Sequence, residues 1–185
     1  MSNDEILLDT EERMEKAVNN LKDELRGLRT GRASPALVDT LRVEYYGSPT
    51  PLRQLAAVRT PDAQQILIRP FDAGCIKDVE KAILTSGLGL TPNSDGKVIR
   101  LTIPPMSGEQ RQKMVARVKK LAEETKVSVR NIRRDGNKHF DQAEKAKEMT
   151  EDDRDAGKEQ VQELTNTYEA KAQELADKKI KEVME

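Results

Sequence analysis

Proline occurs only in the middle of this chain. All eight prolines lie between Pro35 and Pro105, so residues 1–34 and 106–185 contain none. Proline inside a helix removes a backbone hydrogen bond and costs about 3 kcal/mol, which is why long helices exclude it. The distribution therefore predicts long helices at both ends of the chain and a different kind of structure between them.

Apolar residues recur at helical spacing in the proline-free parts. In the first part they step by four and three from Met14 to Leu28. Two further rows follow residue 106: Met114, Val118, Leu121, Thr125, Ser128 and Ile132, and then Val161, Leu164, Tyr168, Ala172, Leu175 and Val183. Helices with one apolar face bury it by packing together. We predict a three-helix bundle built from residues 1–30 and 106–185, with Gly136 as a weak point in its second helix.

The segment that contains the prolines has the pattern of a small mixed domain. Short apolar runs predict strands at 41–45, 56–60, 65–69 and 98–103. Apolar residues at helical spacing predict one helix at 75–86. Residues 31–105 are therefore predicted to form an α+β domain inserted between the first and second helices of the bundle. The fold class expected is α+β with two domains.

Two connections join the predicted domains, near residues 29–34 and 103–107. They carry the residues that we predict as hinges, Gly31, Pro35, Pro104 and Pro105. Motion between domains is the default unless their interface is large and apolar.

Side chains suited to catalysis are scarce. The only cysteine, Cys75, and the only histidine, His139, are predicted in different domains, and Gly96-Lys97 lacks the spacing of a phosphate loop. One cysteine excludes an internal disulfide framework and fits a reducing compartment. The sequence predicts no enzyme, no metal site and no cofactor. It also lacks a signal-peptide pattern and an apolar stretch of about 20 residues, so we predict a cytoplasmic protein without a membrane span.

The net charge of −1 conceals a strong sorting of charge along the chain. Residues 111–138 contain ten basic side chains and three acidic ones. Lys126, Arg130 and Arg133 share one helix face, and Arg134 lies beside it. Two interpretations remain open. In the first, each arginine pairs with a carboxylate of a neighbouring helix. In the second, the face binds an anionic partner. Structured RNA, bound through its phosphates, is then a better candidate than single-stranded RNA, because the chain has few aromatic residues on which bases could stack.

Four runs of the sequence resemble the bacterial ribosome recycling factor family. They are Arg29-Thr30-Gly31-Arg32-Ala33-Ser34-Pro35, Val43 to Ala56 (VEYYGSPTPLRQLA), Leu88-Gly89-Leu90-Thr91-Pro92-Asn93 and Val129-Arg130-Asn131-Ile132-Arg133-Arg134-Asp135. They occur in the family's order, and the resemblance extends over essentially the whole chain.

The resemblance implies an L-shaped protein that binds the large ribosomal subunit after termination. It implies that elongation factor G, using GTP, then drives the factor so that the subunits separate. Arg29, Arg32, Arg130 and Arg133 match the family's RNA-facing arginines, and with Lys126 and Arg134 they form the predicted RNA-binding set. The expected partners are ribosomal RNA and elongation factor G, and the expected state is a monomer.

One alternative function is compatible with the same pattern. A coiled-coil adaptor could use the sorted charges to bind an acidic protein. RNA binding would weaken steeply with salt, because phosphate contacts release counterions.

Overall fold

The computed structural model describes residues 2–185, which divide into two compact units. The first unit ends at Leu25 and resumes from Arg111 to Glu185, and the second is Arg26–Gln110. In chain order the elements are α1 (Asn3–Arg26), α2 (Ala36–Asp39), β1 (Arg42–Tyr45), β2 (Ser48–Pro51), α3 (Leu52–Leu55), β3 (Ala56–Asp62), β4 (Gln65–Pro70), a 3-10 turn (Ala73–Cys75), α4 (Ile76–Thr85), β5 (Pro92–Ser94), β6 (Ile99–Thr102), α5 (Gly108–Lys145) and α6 (Glu151–Met184).

The first unit is a bundle of α1, α5 and α6 held by two apolar clusters. One cluster contains Met14, Val18, Val129, Ile132 and Tyr168, and the other contains Ile6, Phe140, Ala143 and Val161. Between the second cluster and the first, the residue numbers increase along α1 and α6 but decrease along α5. Helix α5 therefore runs antiparallel to the other two, and the α+β fold class with a helical bundle is confirmed.

The buried row of α5 differs from the predicted one. Ser128 is exposed and Val129 is buried, and Phe140, absent from the prediction, is fully buried. The cause is that α5 is packed on two neighbours, α1 and α6, so its buried strip is wider than a single stripe and includes small residues such as Ala122.

Two glycines of the bundle mark places where the helices approach closely. A Cβ on Gly136 of α5 would lie 2.9 Å from Oγ1 of Thr10 on α1. A Cβ on Gly157 of α6 would lie within 3 Å of three ring atoms of Phe140. Gly136 remains a predicted weak point of α5 in helix propensity, and its absent side chain in addition makes room for a neighbouring helix.

Helix α6 begins with a complete capping box. The hydroxyl of Thr150 accepts a hydrogen bond from the backbone N–H of Asp153 at 3.1 Å, and the Asp153 carboxylate accepts one from the backbone N–H of Thr150 at 3.3 Å. Two backbone donors that the helix cannot satisfy itself are paired in this way. The hydrogen bonds from Thr150 lower the pKa of the Asp153 carboxyl.

The second unit contains a four-stranded antiparallel sheet in the order β3-β4-β6-β5 and a separate hairpin of β1 and β2. One face of the sheet carries Ile66, Ile68, Ile99 and Leu101, which are buried with residues of α4. The prediction omitted β2 and β5, because each contains proline and follows no apolar alternation. Both are edge strands, where a missing backbone N–H is tolerated.

Candidate nucleic-acid interface

The predicted basic residues of the bundle lie along α5 where it faces α6. Lys126, Arg130 and Arg133 each donate to a side chain of α6, and their acceptors are Gln173, Glu169 and Gln162 respectively. Because α5 and α6 are antiparallel, the residue number of the acceptor decreases as that of the donor increases. We call Lys126, Arg130, Arg133 and the adjacent Arg134 the α5 basic row.

Arg130 is paired with carboxylates. Its Nε donates to Oε1 of Glu169 at 2.6 Å and its Nη1 to Oε1 of Glu123 at 3.2 Å. The hydrogen bond with Glu169 and its charge are the main reasons why the pKa of Arg130 is raised. For this residue the first of the two interpretations, pairing within the bundle, describes the structure.

Arg133 and Lys126 are held without being neutralised. Nη1 of Arg133 donates to Oε1 of Gln162 at 2.9 Å, and Nζ of Lys126 donates to Oε1 of Gln173. An amide oxygen orients a cation but brings no charge. Both amides are themselves fixed, since Gln162 donates to Asn166 at 2.9 Å and Gln173 to Asp177 at 2.7 Å. The positive charge of the row is therefore concentrated on Lys126, Arg133 and Arg134.

The remaining predicted RNA-binding residues belong to the second unit. Arg29 and Arg32 follow the end of α1 and are exposed. Among the pairs formed within residues 2–185, Arg32 has a polar or ionic interaction, whereas Arg29 and Arg134 have no hydrogen bond or ion pair. The bundle and the second unit thus each carry part of the predicted set.

The acceptors on α6 were missed by reasoning from sequence, although a signal for them exists. Gln162, Glu169 and Gln173 each follow a buried residue of the apolar row by one position, namely Val161, Tyr168 and Ala172. Polar residues at that offset border the buried strip and reach a neighbouring helix. Choosing α5 rather than α1 as that neighbour requires the packing.

The two predicted hinge segments are bonded to one β-hairpin of the second unit. The N–H of Ala33 donates to the carbonyl of Ala63 at 2.7 Å, and the N–H of Ile103 donates to that of Gln64 at 2.8 Å. Gly31 has a φ of +76° and packs on Met106, whose Cγ would be 3.0 Å from an added Cβ. Both segments belong to the second unit, whose bounds are Arg26 and Gln110, whereas the predicted bounds are 31 and 105.

The two proline positions differ in their surroundings. Pro35 directly precedes α2, as expected for a residue with a fixed helical φ. Pro104 and Pro105 are exposed and follow the last strand. Within residues 2–185, no backbone–backbone hydrogen bond outside the helices and strands is donated by residues 104–107.

The other side chains considered for chemistry, Cys75 and His139, belong to the second unit and to α5 of the bundle respectively. Cys75 is buried in the second unit, and burial raises the pKa of its thiol. Across residues 2–185, His, Cys, Asp and Glu side chains form no group of three that could hold a metal ion. None of the helices in this same range has the length and apolar character that a membrane crossing requires.

Comparison with known proteins gives matches along nearly the whole chain. The family model described as ribosome recycling factor matches residues 21–184. Ribosome-recycling factor of Rhodopirellula baltica is 65% identical over 138 residues, which are 75% of this chain and 74% of that protein. The factor of Oleidesulfovibrio alaskensis is 53% identical over 182 residues, covering 98% and 99% respectively.

Solved structures give the same result. A solution structure of the ribosome recycling factor superposes with a TM-score of 0.84 at 38% identity, covering 100% of this chain and 98% of that one. A second match has a TM-score of 0.71 at 38% identity, with full coverage of both chains. It comes from models for the T. thermophilus ribosome recycling factor and the E. coli elongation factor G bound to the E. coli post-termination complex. A helical bundle with an inserted β-containing unit and these relatives define a translation factor. The chain belongs to the ribosome recycling factor family.

Proposed function

We propose that this chain splits post-termination ribosomes into subunits, together with elongation factor G and GTP. The observation that carries the proposal is the family match over nearly the full chain, with both units present. One relative of known structure is bound, like elongation factor G, to a post-termination complex. We infer that GTP hydrolysis belongs to elongation factor G, that this chain acts as a cytoplasmic monomer, and that it catalyses no reaction itself.

We propose that the α5 basic row binds backbone phosphates of large-subunit ribosomal RNA, with Arg29 and Arg32 as further contacts from the second unit. Arg guanidinium groups form paired hydrogen bonds with phosphate oxygens. Arg133 and Arg134 are the strongest candidates in the row, because among residues 2–185 no carboxylate neutralises either.

The pairing of Arg130 is compatible with a phosphate contact. Its side chain is 41% exposed and that of Glu123 is 59% exposed. An ion pair this accessible contributes roughly 0–1 kcal/mol, which a phosphate can replace. Glu169 is only 26% exposed and bonds Nε, so it would keep Arg130 oriented while Glu123 is displaced.

Binding of the purified chain to large subunits tests this assignment. Arg133→Ala with Arg134→Ala is expected to weaken binding strongly and to reduce the salt dependence by about one unit of log–log slope per lost phosphate contact. The matched control is Arg117→Ala, because Arg117 is exposed and lies nine residues before Lys126, about 180° around α5. Circular dichroism checks that each variant is folded. Equal binding by the double variant and the wild type would overturn the assignment.

The activity itself is tested by light scattering of post-termination ribosomes. We expect subunit splitting only when the chain, elongation factor G and GTP are all present. Splitting that proceeds at the same rate without the chain would contradict the proposed function.

A further inference from the structure

The outer face of the four-stranded sheet carries three arginines. Arg59 on β3 pairs with Leu67 on β4, and Leu67 pairs with Arg100 on β6. Arg69 lies two residues further along β4 on the same face, since alternate residues of a strand point to the same side. All three arginines are exposed. Strand spacing places the backbones of Arg59 and Arg100 about 10 Å apart, with Arg69 about 7 Å from Leu67 along β4.

An exposed aromatic ring lies at the end of this face. The ring-bearing residue, Phe71, directly follows β4 and is 73% exposed. Its backbone N–H donates to the carbonyl of Leu55 at 2.9 Å, which continues the β3–β4 ladder and fixes its position. A surface depression with a volume of about 470 Å³ lies at this end of the face. It is lined by Phe71, Arg59, Arg69 and Leu67.

Carboxylates do not neutralise the three arginines. Among the ion pairs of residues 2–185, none involves Arg59, Arg69 or Arg100. Asp62 lies beyond the β-bulge in β3 and accepts the backbone N–H of Gln64 at 2.8 Å. Asp95 accepts the backbone N–H groups of Lys97 and Val98, which lower its pKa, with a smaller contribution from the charge of Arg100.

We propose that this face is a second RNA-binding surface, which holds a single-stranded segment by its phosphates and stacks one base on Phe71. Guanidinium groups flanking an aromatic ring are the combination that binds unpaired nucleotides, since the ring takes a base and the cations take the backbone. Single-stranded RNA is the favoured occupant because it carries a negative charge at every nucleotide, whereas a protein partner would need several carboxylates at positions that match these arginines. The surface is separate from the α5 basic row and does not depend on the function proposed for it.

Fluorescence anisotropy with a labelled, unstructured RNA of about ten nucleotides tests the proposal on the full chain, between about 50 and 200 mM salt. Replacing Arg59, Arg69 and Arg100 together by Ala is expected to reduce the salt slope by about two units, because each single-strand phosphate contact contributes about 0.7. Arg53→Ala is the matched control, since Arg53 is exposed on α3 of the same unit. An unchanged slope in the triple variant, or an equal effect of Arg53→Ala, would overturn the proposal.

The ring is tested separately from the charges. Phe71→Ala and Phe71→Leu are expected to weaken RNA binding about 5- to 150-fold, whereas Phe71→Tyr retains it, because stacking needs a flat ring. Rescue by Leu would contradict base stacking. An acidic peptide of similar length is the competing probe, and if it binds as tightly as the RNA and loses binding in the same variants, the surface is a protein-docking face instead. The Arg133→Ala and Arg134→Ala variant tests the α5 basic row alone, so its result does not change the interpretation of the RNA-binding tests on the sheet face.

Discussion

At the scale of single residues, glycine positions in the bundle depend on what lies opposite them. Gly157 faces the ring of Phe140, and Gly136 faces the buried hydroxyl of Thr10, which donates to the carbonyl of Ile6 at 2.7 Å. Neither neighbour is the flexible end of a long exposed side chain. These glycines therefore lower helix propensity but permit close packing of the helices.

Gly157→Ala is expected to destabilise the bundle, because the added methyl overlaps the Phe140 ring. Overpacking of a buried contact costs about 1–3 kcal/mol. Urea denaturation followed by circular dichroism measures the free energy of unfolding. Gly108→Ala is the control, since no atom lies within 4 Å of its added Cβ. A Gly157→Ala variant as stable as the wild type would show that the packing relaxes without cost.

Glu123 is expected to weaken RNA binding in the wild type, because it competes for Nη1 of Arg130. Glu123→Gln should therefore tighten binding to large subunits more than Glu124→Gln does. Glu124 is the matched control, as its nearest cation is Lys120 at 4.0 Å. Subunit binding at low salt compares the two variants. The same gain in both would mean that only net charge matters and that Arg130 contacts no phosphate.

At the scale of elements, α1 and α5 are joined by an exposed ion pair as well as by the core. Nη2 of Arg13 donates to Oδ2 of Asp135 at 2.8 Å, and Nη1 lies 3.9 Å from Asp9. The hydrogen bond from Arg13 is the main cause of the lowered pKa of the Asp135 carboxyl. A carboxyl with a lowered folded-state pKa stabilises the protein above its unfolded pKa and loses that effect as pH falls through its folded pKa.

The melting temperature of Asp135→Asn is expected to lie slightly below that of the wild type at neutral pH. The difference should shrink as pH falls below about 3.9, the ordinary pKa of an aspartate, because the carboxyl of the unfolded chain then gains a proton, and it should vanish once the pH is also below the lowered folded-state pKa. Thermal melts at several pH values measure the difference. Asp23→Asn controls for loss of one exposed carboxylate, since Asp23 lies on the exposed side of α1. A difference that stays constant with pH would show that the ion pair contributes nothing to it.

At the scale of the whole molecule, the two predicted hinge segments, 29–34 and 103–107, lie in the second unit, a few residues from the points where the chain passes to and from the bundle. They meet at Gly31 and Met106 within the second unit. We propose that this contact sets how readily the connections bend, because residues near it are tied to the β3–β4 hairpin while Pro104 and Pro105 lie outside any strand.

Gly31→Ala is expected to leave large-subunit binding within about twofold of the wild type and to slow splitting by elongation factor G and GTP. The added methyl presses on Met106 and the left-handed φ costs about 1–2 kcal/mol. Gly47→Ala is the matched control, with a φ of +78° and nothing within 4 Å of the added Cβ. Binding assays and light scattering separate the two effects. Equal loss of binding and splitting would indicate that the segment itself touches the ribosome.

The helices, most of the strands and the order of the units could be predicted from the amino-acid sequence. Proline distribution and apolar spacing are local properties, because they follow from the geometry of each helix or strand alone. For that reason the predicted strand at 65–69 agrees closely with β4, Gln65–Pro70. The four runs that resemble the ribosome recycling factor family are also local stretches of sequence, so the family could be identified without the structure.

Which cations of α5 keep their charge could be learned only from the packed helices. Arg130 and Arg133 look alike in the sequence, yet one meets Glu169 and the other Gln162. The difference is set by the register of two antiparallel helices whose partners lie 39 and 29 residues apart. The close approach at Gly157 and the arginines gathered from three strands have the same origin, since contacts between elements depend on packing that no local pattern encodes.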